Sequence, residues 1–276
     1  MAIKRSPFDL TGRTIVITGA GGLMGRQFAQ SLSEFGANLI LLDINETSIK
    51  ELADHLNQNF ATKVSCFVTD ITDEDQVRNS VQLSLNSHGS VDGLINNAAR
   101  NPAVGVNGLS SLGRLENLDL GDWNADLAIG LTGAFLCSKH FGQAMSRNQT
   151  GGIIVNISSD LGLISPDQRI YSTTKTPVDE RPVKPVSYSV VKSGLLGLTR
   201  YLATYWPGVI RCNAICPGGI ETDQNQEFID ELAHRIPMGR MAKLDEYGAT
   251  IVYLLSNASS YLNGAIIPID GGRTAW

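Results

Sequence analysis

Short, unbroken apolar runs recur along the chain, each set apart from the next by a polar turn or a stretch with helical spacing. The runs are Thr14–Thr18, Leu39–Leu42, Val64–Val68, Gly93–Ile95, Ile153–Ile157, Ile210–Cys216 and Ala265–Ile269. Their lengths suit strands, and their continuous apolar character predicts burial on both faces, as in a parallel sheet. Between the first two, Gly25–Phe35 sets Phe28, Leu32 and Phe35 at i, i+4, i+7, which is one face of a helix. Asp73–His88 and Leu195–Trp206 are amphipathic in the same way. Strands alternating with helices predict an α/β chain with a Rossmann-like, doubly wound parallel sheet of about seven strands and helices on both faces.

Two segments break this rhythm, Arg100–Gly121 and the proline- and charge-rich Asp160–Ser187. Each follows an apolar run, so each is placed at the carboxyl edge of the sheet, where folds of this class bind ligands. Loops of that length usually serve as lids or binding loops. With no composition break elsewhere, residues 1–276 read as one domain with a long insertion at about 160–187.

Composition narrows the picture. Hydrophobic residues make up 42% of the chain, enough for a large core, and a net charge of −5 gives no basic footprint for nucleic acid. No stretch approaches the roughly 18 apolar residues of a membrane span, and Met1–Leu10 lacks the apolar core of a signal peptide. A cytoplasmic location is therefore expected. Cys66, Cys137, Cys212 and Cys216 show no paired metal-ligand spacing and read as reduced, largely buried thiols, with no metal expected.

Candidate chemistry begins after the first strand. Thr18-Gly-Ala-Gly-Gly-Leu-Met-Gly25 lies where a strand turns into a helix. Glycines let that backbone approach a pyrophosphate, and the helix N-terminus offers unpaired N–H groups and a positive dipole end. Asp43 closes the second strand, where a carboxylate accepts hydrogen bonds from ribose hydroxyls and repels a 2′-phosphate. No Arg or Lys stands inside the glycine turn, so NAD is expected rather than NADP.

Tyr188-Ser-Val-Val-Lys192 places a phenol and an ammonium at i, i+4 on one helix face. A neighbouring cation favours phenolate, so Tyr188 is expected to have a lowered pKa and to serve as an acid/base near neutral pH. Tyr171-Ser-Thr-Thr-Lys175 is a rival with the same spacing. Pro177 decides between them, because proline inside a helix costs about 3 kcal/mol and would cut off a helix carrying the first pair. Beyond Lys192, Leu195, Leu198 and Leu202 continue an apolar stripe, so Tyr188 and Lys192 are the expected pair.

These elements, with Asp70 in Thr-Asp-Ile-Thr, Asn96-Asn-Ala-Ala99, Asn156-Ile-Ser-Ser159, Pro217-Gly-Gly-Ile-Glu-Thr222 and Asp270-Gly-Gly272, resemble the short-chain dehydrogenase/reductase family over nearly the whole chain. A narrower resemblance, in the segment before Tyr188 and in Tyr201–Tyr205, is to members associated with flagellin and surface-sugar modification. The resemblance implies that Ser159 hydrogen-bonds the substrate oxygen, Tyr188 moves its proton, and Lys192 holds the nicotinamide ribose. It implies cofactor contacts at Gly19, Gly22, Leu23, Met24 and Gly25 in the turn, at Asp43, and at Asp70 and Ile71 near the adenine. Asn97 and Ala98 near the adenosine-side ribose complete that half, and Pro217, Gly218, Ile220 and Thr222 serve the nicotinamide end. It further implies a homodimer or homotetramer, paired through the helix of Tyr188 and Lys192 and through the strand Ala265–Ile269.

Two positions depart from the family pattern. Leu23 stands where the family turn has its middle glycine, and Gly22 comes one place early; the result is similar to the turn of nucleotide-sugar epimerases and dehydratases. Gly130 stands where the family has an asparagine that supports a water-linked proton relay to the lysine, leaving backbone carbonyls loosened at the glycine to hold that water. The leading expectation is NAD-dependent hydride transfer between the nicotinamide and a secondary alcohol or ketone, including sugar derivatives, with a small molecule as the partner. NAD-dependent epimerisation or dehydration, and a non-catalytic NAD-binding protein, are the alternatives. Arg169, Asp179, Glu180, Arg181 and Lys184 make the insertion either a polar clamp on the substrate or an ordinary solvated loop.

Overall fold

The computed structural model describes residues 6–100, 113–171, 177 and 180–276. Seven strands, β1 (Thr14–Thr18), β2 (Asn38–Asp43), β3 (Val64–Val68), β4 (Gly93–Asn96), β5 (Gly152–Ile157), β6 (Ile210–Pro217) and β7 (Ile266–Ile269), form one sheet. Its order is β3-β2-β1-β4-β5-β6-β7, and every pairing is parallel. The expected doubly wound parallel sheet is thus what the chain builds. The order runs outward in opposite directions from β1 and β4, so a crevice opens between their carboxyl ends.

The helices are α1 (Leu23–Glu34), α2 (Glu46–Asn59), α3 (Glu74–His88), α4 (Leu120–Leu127), α5 (Gly133–Met145), α6 (Val186–Tyr205), α7 (Gln226–Ala233) and α8 (Gly248–Leu255). Along β1 the side chains alternate between two cores. Ile15 and Ile17 pack with Phe28, Leu32 and Leu255 on one side, while Val16 packs with Phe141, Leu202 and Cys212 on the other. This is why the runs read as unbroken: both sheet faces are covered. All four cysteines are free thiols, and Cys137, Cys212 and Cys216 are buried. One detail corrects the helix pattern. Phe35 caps the C-terminus of α1 and is exposed, while Phe28 and Leu32 are fully buried, because the helix ends before the third position comes round.

Helix starts are fixed locally. The Asp73 carboxylate accepts from the backbone N–H groups of Asp75 and Gln76 at the head of α3, and Asn45 does the same for Ser48 in α2. α1 differs: its N-cap is Gly22, with no side-chain cap, so its first turn faces the crevice with backbone donors. Between α4 and α5 the chain widens into one π-helical turn, Ala128–Thr132, centred on Gly130.

Candidate active site

A cavity of 1740 Å³ runs along the carboxyl edge of the sheet from the glycine turn to the start of α7. Gly19, Gly22, Leu23 and Met24 line one end with Asp43, Asp70, Ile71, Asn97 and Ala98; Ser159, Tyr188 and Lys192 stand in the middle; Pro217, Gly218, Ile220 and Thr222 follow. The structure therefore brings the expected residues to one site, apart from Gly25. That glycine lies buried under the turn, where an added Cβ would come within 2.3 Å of the Gly19 carbonyl oxygen. Gly19 itself has φ +62°, and a Cβ there would meet Ala98 Cα at 2.7 Å. Both are glycine because the turn is pressed against its own helix and against the end of β4.

Hydrogen bonds hold this end rigid. Asn97 donates its side-chain amide to the Thr18 and Gly19 carbonyls at 3.0 and 2.9 Å, tying β4 to the turn. Asp43 accepts from Gly21 N–H at 2.9 Å and Asn45 N–H at 3.0 Å. Arg26 donates to the Gly21 carbonyl at 3.0 Å and to Ser48 Oγ at 2.8 Å, bracing the turn from behind. Asp70 accepts from the Thr72 backbone and hydroxyl. An uncapped helix start, a glycine cradle and a strand-end carboxylate in one cavity fit the phosphates and adenosine of a dinucleotide. Gly19, Gly22, Asp43 and Asp70 would hold that half, and Lys192, Ile220 and Thr222 the other.

The centre of the cavity is more heavily charged than the motifs imply. The Lys192 ammonium is buried and donates to the Ile157 carbonyl at 2.8 Å. Burial, and then the neighbouring Lys184, push its pKa down to about 8. Lys184 is also buried, and its Nζ sits 3.9 Å from the centroid of the Tyr188 ring, whereas Lys192 Nζ is 5.7 Å away. The expected lowering of the Tyr188 pKa is not what the structure gives. Burial raises it, a hydrogen bond with Ser159 pulls the other way, and the Asp160 charge adds to the rise.

Asp160 follows Ser159 directly and was not singled out by any motif. Its Oδ1 accepts from Ser159 Oγ and Leu161 N–H, both at 2.8 Å, and Oδ2 accepts from Arg273 at 2.6 Å. This ion pair is almost wholly buried, Asp160 at 3% and Arg273 at 7% exposure. A serine has one hydroxyl proton, so while Ser159 donates it to Asp160 that proton is not directed at Tyr188. To donate elsewhere in the cavity, Ser159 would have to rotate away from Asp160. Arg273 sits just past Asp270-Gly-Gly272, where positive φ values of 64° and 89° turn the chain back into the site.

The rival tyrosine is placed too. Tyr171 ends a short 3-10 turn, Gln168–Tyr171, and packs on Phe228 of α7 with ring centroids 5.7 Å apart. Burial raises its pKa, and it lines the cavity wall with Leu232 and Met241. Its partner in sequence, Lys175, and Asp179 lie outside the described residues. Of the remaining clamp candidates, Arg169 is exposed and bonds Asp167, which also accepts from Arg235 of the α7 end. Glu180 is exposed, and only Lys184 is buried in the site.

At Gly130 the structure supplies a steric reason for the missing asparagine. A Cβ there would fall 2.4 Å from Val191 Cγ1, one residue before Lys192. The π turn and the glycine together let α6 approach.

Comparison with known proteins agrees with this architecture. The family model described as short chain dehydrogenase matches residues 13–181, and that described as Enoyl-(Acyl carrier protein) reductase matches residues 181–274. An uncharacterized oxidoreductase of Thermotoga maritima is 32% identical, over 97% of this chain and 99% of its own. The trans-4-hydroxycyclohexanecarboxylate dehydrogenase of Sinomonas cyclohexanicum is 33% identical, over 95% and 93%. The crystal structure of a short-chain type dehydrogenase/reductase from Mycobacterium marinum superposes with a TM-score of 0.83 at 27% identity, covering 99% of this chain and 100% of that one.

Proposed function

The chain belongs to the short-chain dehydrogenase/reductase family and is an oxidoreductase of that type, and from that premise we propose that it moves a hydride between NAD and a secondary alcohol or ketone, with Tyr188 as the acid/base. The observation that carries this reading is the juxtaposition of Ser159, Tyr188 and Lys192 in the middle of a cavity whose far end is the glycine turn. When bound, the nicotinamide supplies the hydride acceptor or donor. Tyr188 takes the alcohol proton in oxidation and returns it in reduction. Lys192, anchored on Ile157, orients the ribose, and Ser159 aligns the reacting oxygen. NAD is favoured over NADP because Asp43 stands at the end of β2, where a 2′-phosphate would meet its carboxylate. Arg26, which lies behind the turn, is committed to Gly21 and Ser48. The wall of Ile170, Tyr171, Phe228, Leu232 and Met241 is apolar and fits the carbon skeleton of the substrate.

The test is NADH formation across free and nucleotide-linked sugars and other secondary alcohols, joined to calorimetric titration of both oxidised cofactors. Tyr188→Phe is expected to bind NAD as the parent does and to lose about 10²- to 10⁴-fold in turnover. Tyr171→Phe is expected to change the Michaelis constant more than turnover. Abolition of turnover by Tyr171→Phe with Tyr188→Phe active would overturn the assignment, and NADP binding as tight as NAD would overturn the cofactor preference.

A further inference from the structure

Lysine is seldom fully buried without a purpose, since taking its ammonium out of water is costly. Lys184 is 8% exposed and is held there on both sides of its own peptide. Gln168 Oε1 accepts from Lys184 N–H at 2.8 Å, and Gln168 Nε2 donates to the Lys184 carbonyl at 3.0 Å. The next residue, Pro185, is the N-cap of α6, and Tyr188 N–H donates to its carbonyl at 3.2 Å. The ammonium and the Tyr188 ring therefore belong to one rigid corner, with Nζ 3.9 Å from the ring centroid. A cation on the face of an aromatic ring is attracted to its π cloud, and the attraction grows when the ring carries a full negative charge.

We propose that Lys184 is a positioning residue for the acid/base step: its ammonium, seated on the face of Tyr188, stabilises the phenolate and acts beside Lys192 as the second positive charge on that side chain. This rests on the reading of Tyr188 as the acid/base. Among the described residues, the groups facing the pair include Ser159 and Asp160 after β5, Asp126 of α4, Tyr171 of the 3-10 turn, Lys192 and Ser187 of α6, and Arg273 after β7. Asp160 opposes phenolate formation but spends its charge on Arg273, Ser159 and Leu161. Asp126 accepts from Ser187 at 2.5 Å and lies near Arg100. Lys192 is farther from the ring and gives one of its protons to Ile157. Among the described residues, Lys184 is thus closer to the tyrosine ring than Lys192 is. Its own pKa, lowered to about 8 by burial, keeps it charged at neutral pH, and a phenolate beneath it would hold that proton more firmly.

The sign of the effect follows. An opposite charge within about 4–6 Å shifts a titration by roughly one to three units toward the charged form. Replacing Lys184 with a neutral side chain therefore raises the Tyr188 pKa. In alcohol oxidation, where the tyrosinate takes the proton, the limb of kcat/KM that rises with pH moves to higher pH.

The experiment compares the full-length enzyme with Lys184→Met and Lys184→Arg, using an alcohol substrate that the parent oxidises. Lys184→Met is expected to move the limb upward by about one pH unit, and Lys184→Arg to return it to the parent position. A second readout needs no turnover: 3-fluorotyrosine is incorporated, and the Tyr188 fluorine resonance, identified by its loss in Tyr188→Phe, is titrated with NAD bound. Its midpoint is expected to rise in Lys184→Met alone. Should Lys184→Met fail to fold, Lys184→Gln carries the same comparison. Unmoved limb and midpoint, with only KM or thermal stability changed, would overturn the proposal and leave Lys184 a wall residue. Full turnover in Tyr188→Phe would overturn the underlying acid/base reading instead.

Discussion

At the scale of single residues, the site is built around a charge that no motif announces. Asp160 is buried beside Ser159, and its Oδ2 accepts from Arg273 at the far end of the chain. Breaking such a pair by removing one partner leaves an uncompensated buried charge and typically costs about 3–5 kcal/mol. Arg273→Met is therefore expected to unfold at a clearly lower denaturant concentration than the parent. Asp160→Asn combined with Arg273→Met is expected to recover part of the loss, because the orphaned charge is gone. Equal midpoints for the parent and Arg273→Met in chemical denaturation would show that the pair contributes nothing to stability. The pair also explains what the sequence concealed. Tyr188, Lys192 and Ser159 are legible because their chemistry is carried by local spacing. Asp160 and Arg273 stand 113 positions apart, and only the parallel sheet, which returns every strand end to one edge, makes them neighbours. Lys184 was legible as a charge in the insertion. Its burial over Tyr188 was not, because that depends on Gln168 clamping its backbone.

At the scale of elements, the strands were the most readable part, since the inner strands β1, β4 and β5 are buried along their whole length and are largely apolar. Helix α6 was readable for a related reason: Leu195 and Leu202 are buried and Leu198 packs against the same core. The short α7 and α8, two turns each, give a 3.6-residue period too little length to stand out. The π turn at Ala128–Thr132 has no pattern of its own. Gly130 could be noticed only as a missing asparagine, and the reason for it became visible once Val191 was found against it. That contact makes a prediction. Gly130→Asn restores the family residue but places its Cβ 2.4 Å from a β-branched methyl that has no free rotation away. Overpacking of this kind costs about 1–3 kcal/mol, and the displaced element is α6, which carries Tyr188 and Lys192. The variant is expected to lose stability and turnover together. Val191→Ala in the same chain is expected to restore both in part. A Gly130→Asn enzyme with parental melting temperature and higher turnover would show that the glycine is a lost relay residue and not a packing requirement.

At the scale of the whole molecule, α6 has two faces with different tasks. One holds Tyr188 and Lys192 against the cavity. The other leaves Val190, Tyr201 and Tyr205 exposed, with Tyr201 stacked on Tyr205 at 5.6 Å between ring centroids and Tyr205 edge-on to Trp206 at 4.7 Å. Phe135 of α5 is exposed as well. Val190, Tyr201 and Tyr205 on one face of a single helix are more than scattered exposure requires. Among the described residues, β7 is the last strand of the sheet and pairs on one side only, with β6, which leaves a second surface of the kind that associates. We therefore expect the helix face to pair two copies of the chain, each covering about 800 Å² of the other, and the β7 edge to support a further pairing into a tetramer. The consequence reaches the chemistry, because the helix that would be clamped by the partner is the one that positions the acid/base. Light scattering at micromolar concentration is expected to give at least twice the 29.7 kDa mass of one chain. Tyr201→Glu with Tyr205→Glu places two carboxylates in that contact and is expected to halve the mass of the pair. If the partner does hold α6 in place, turnover per chain is lower in the double variant than in the parent at every concentration assayed. A parent chain that scatters as a monomer at micromolar concentration would remove the pairing, and the aromatic face of α6 would then need another explanation.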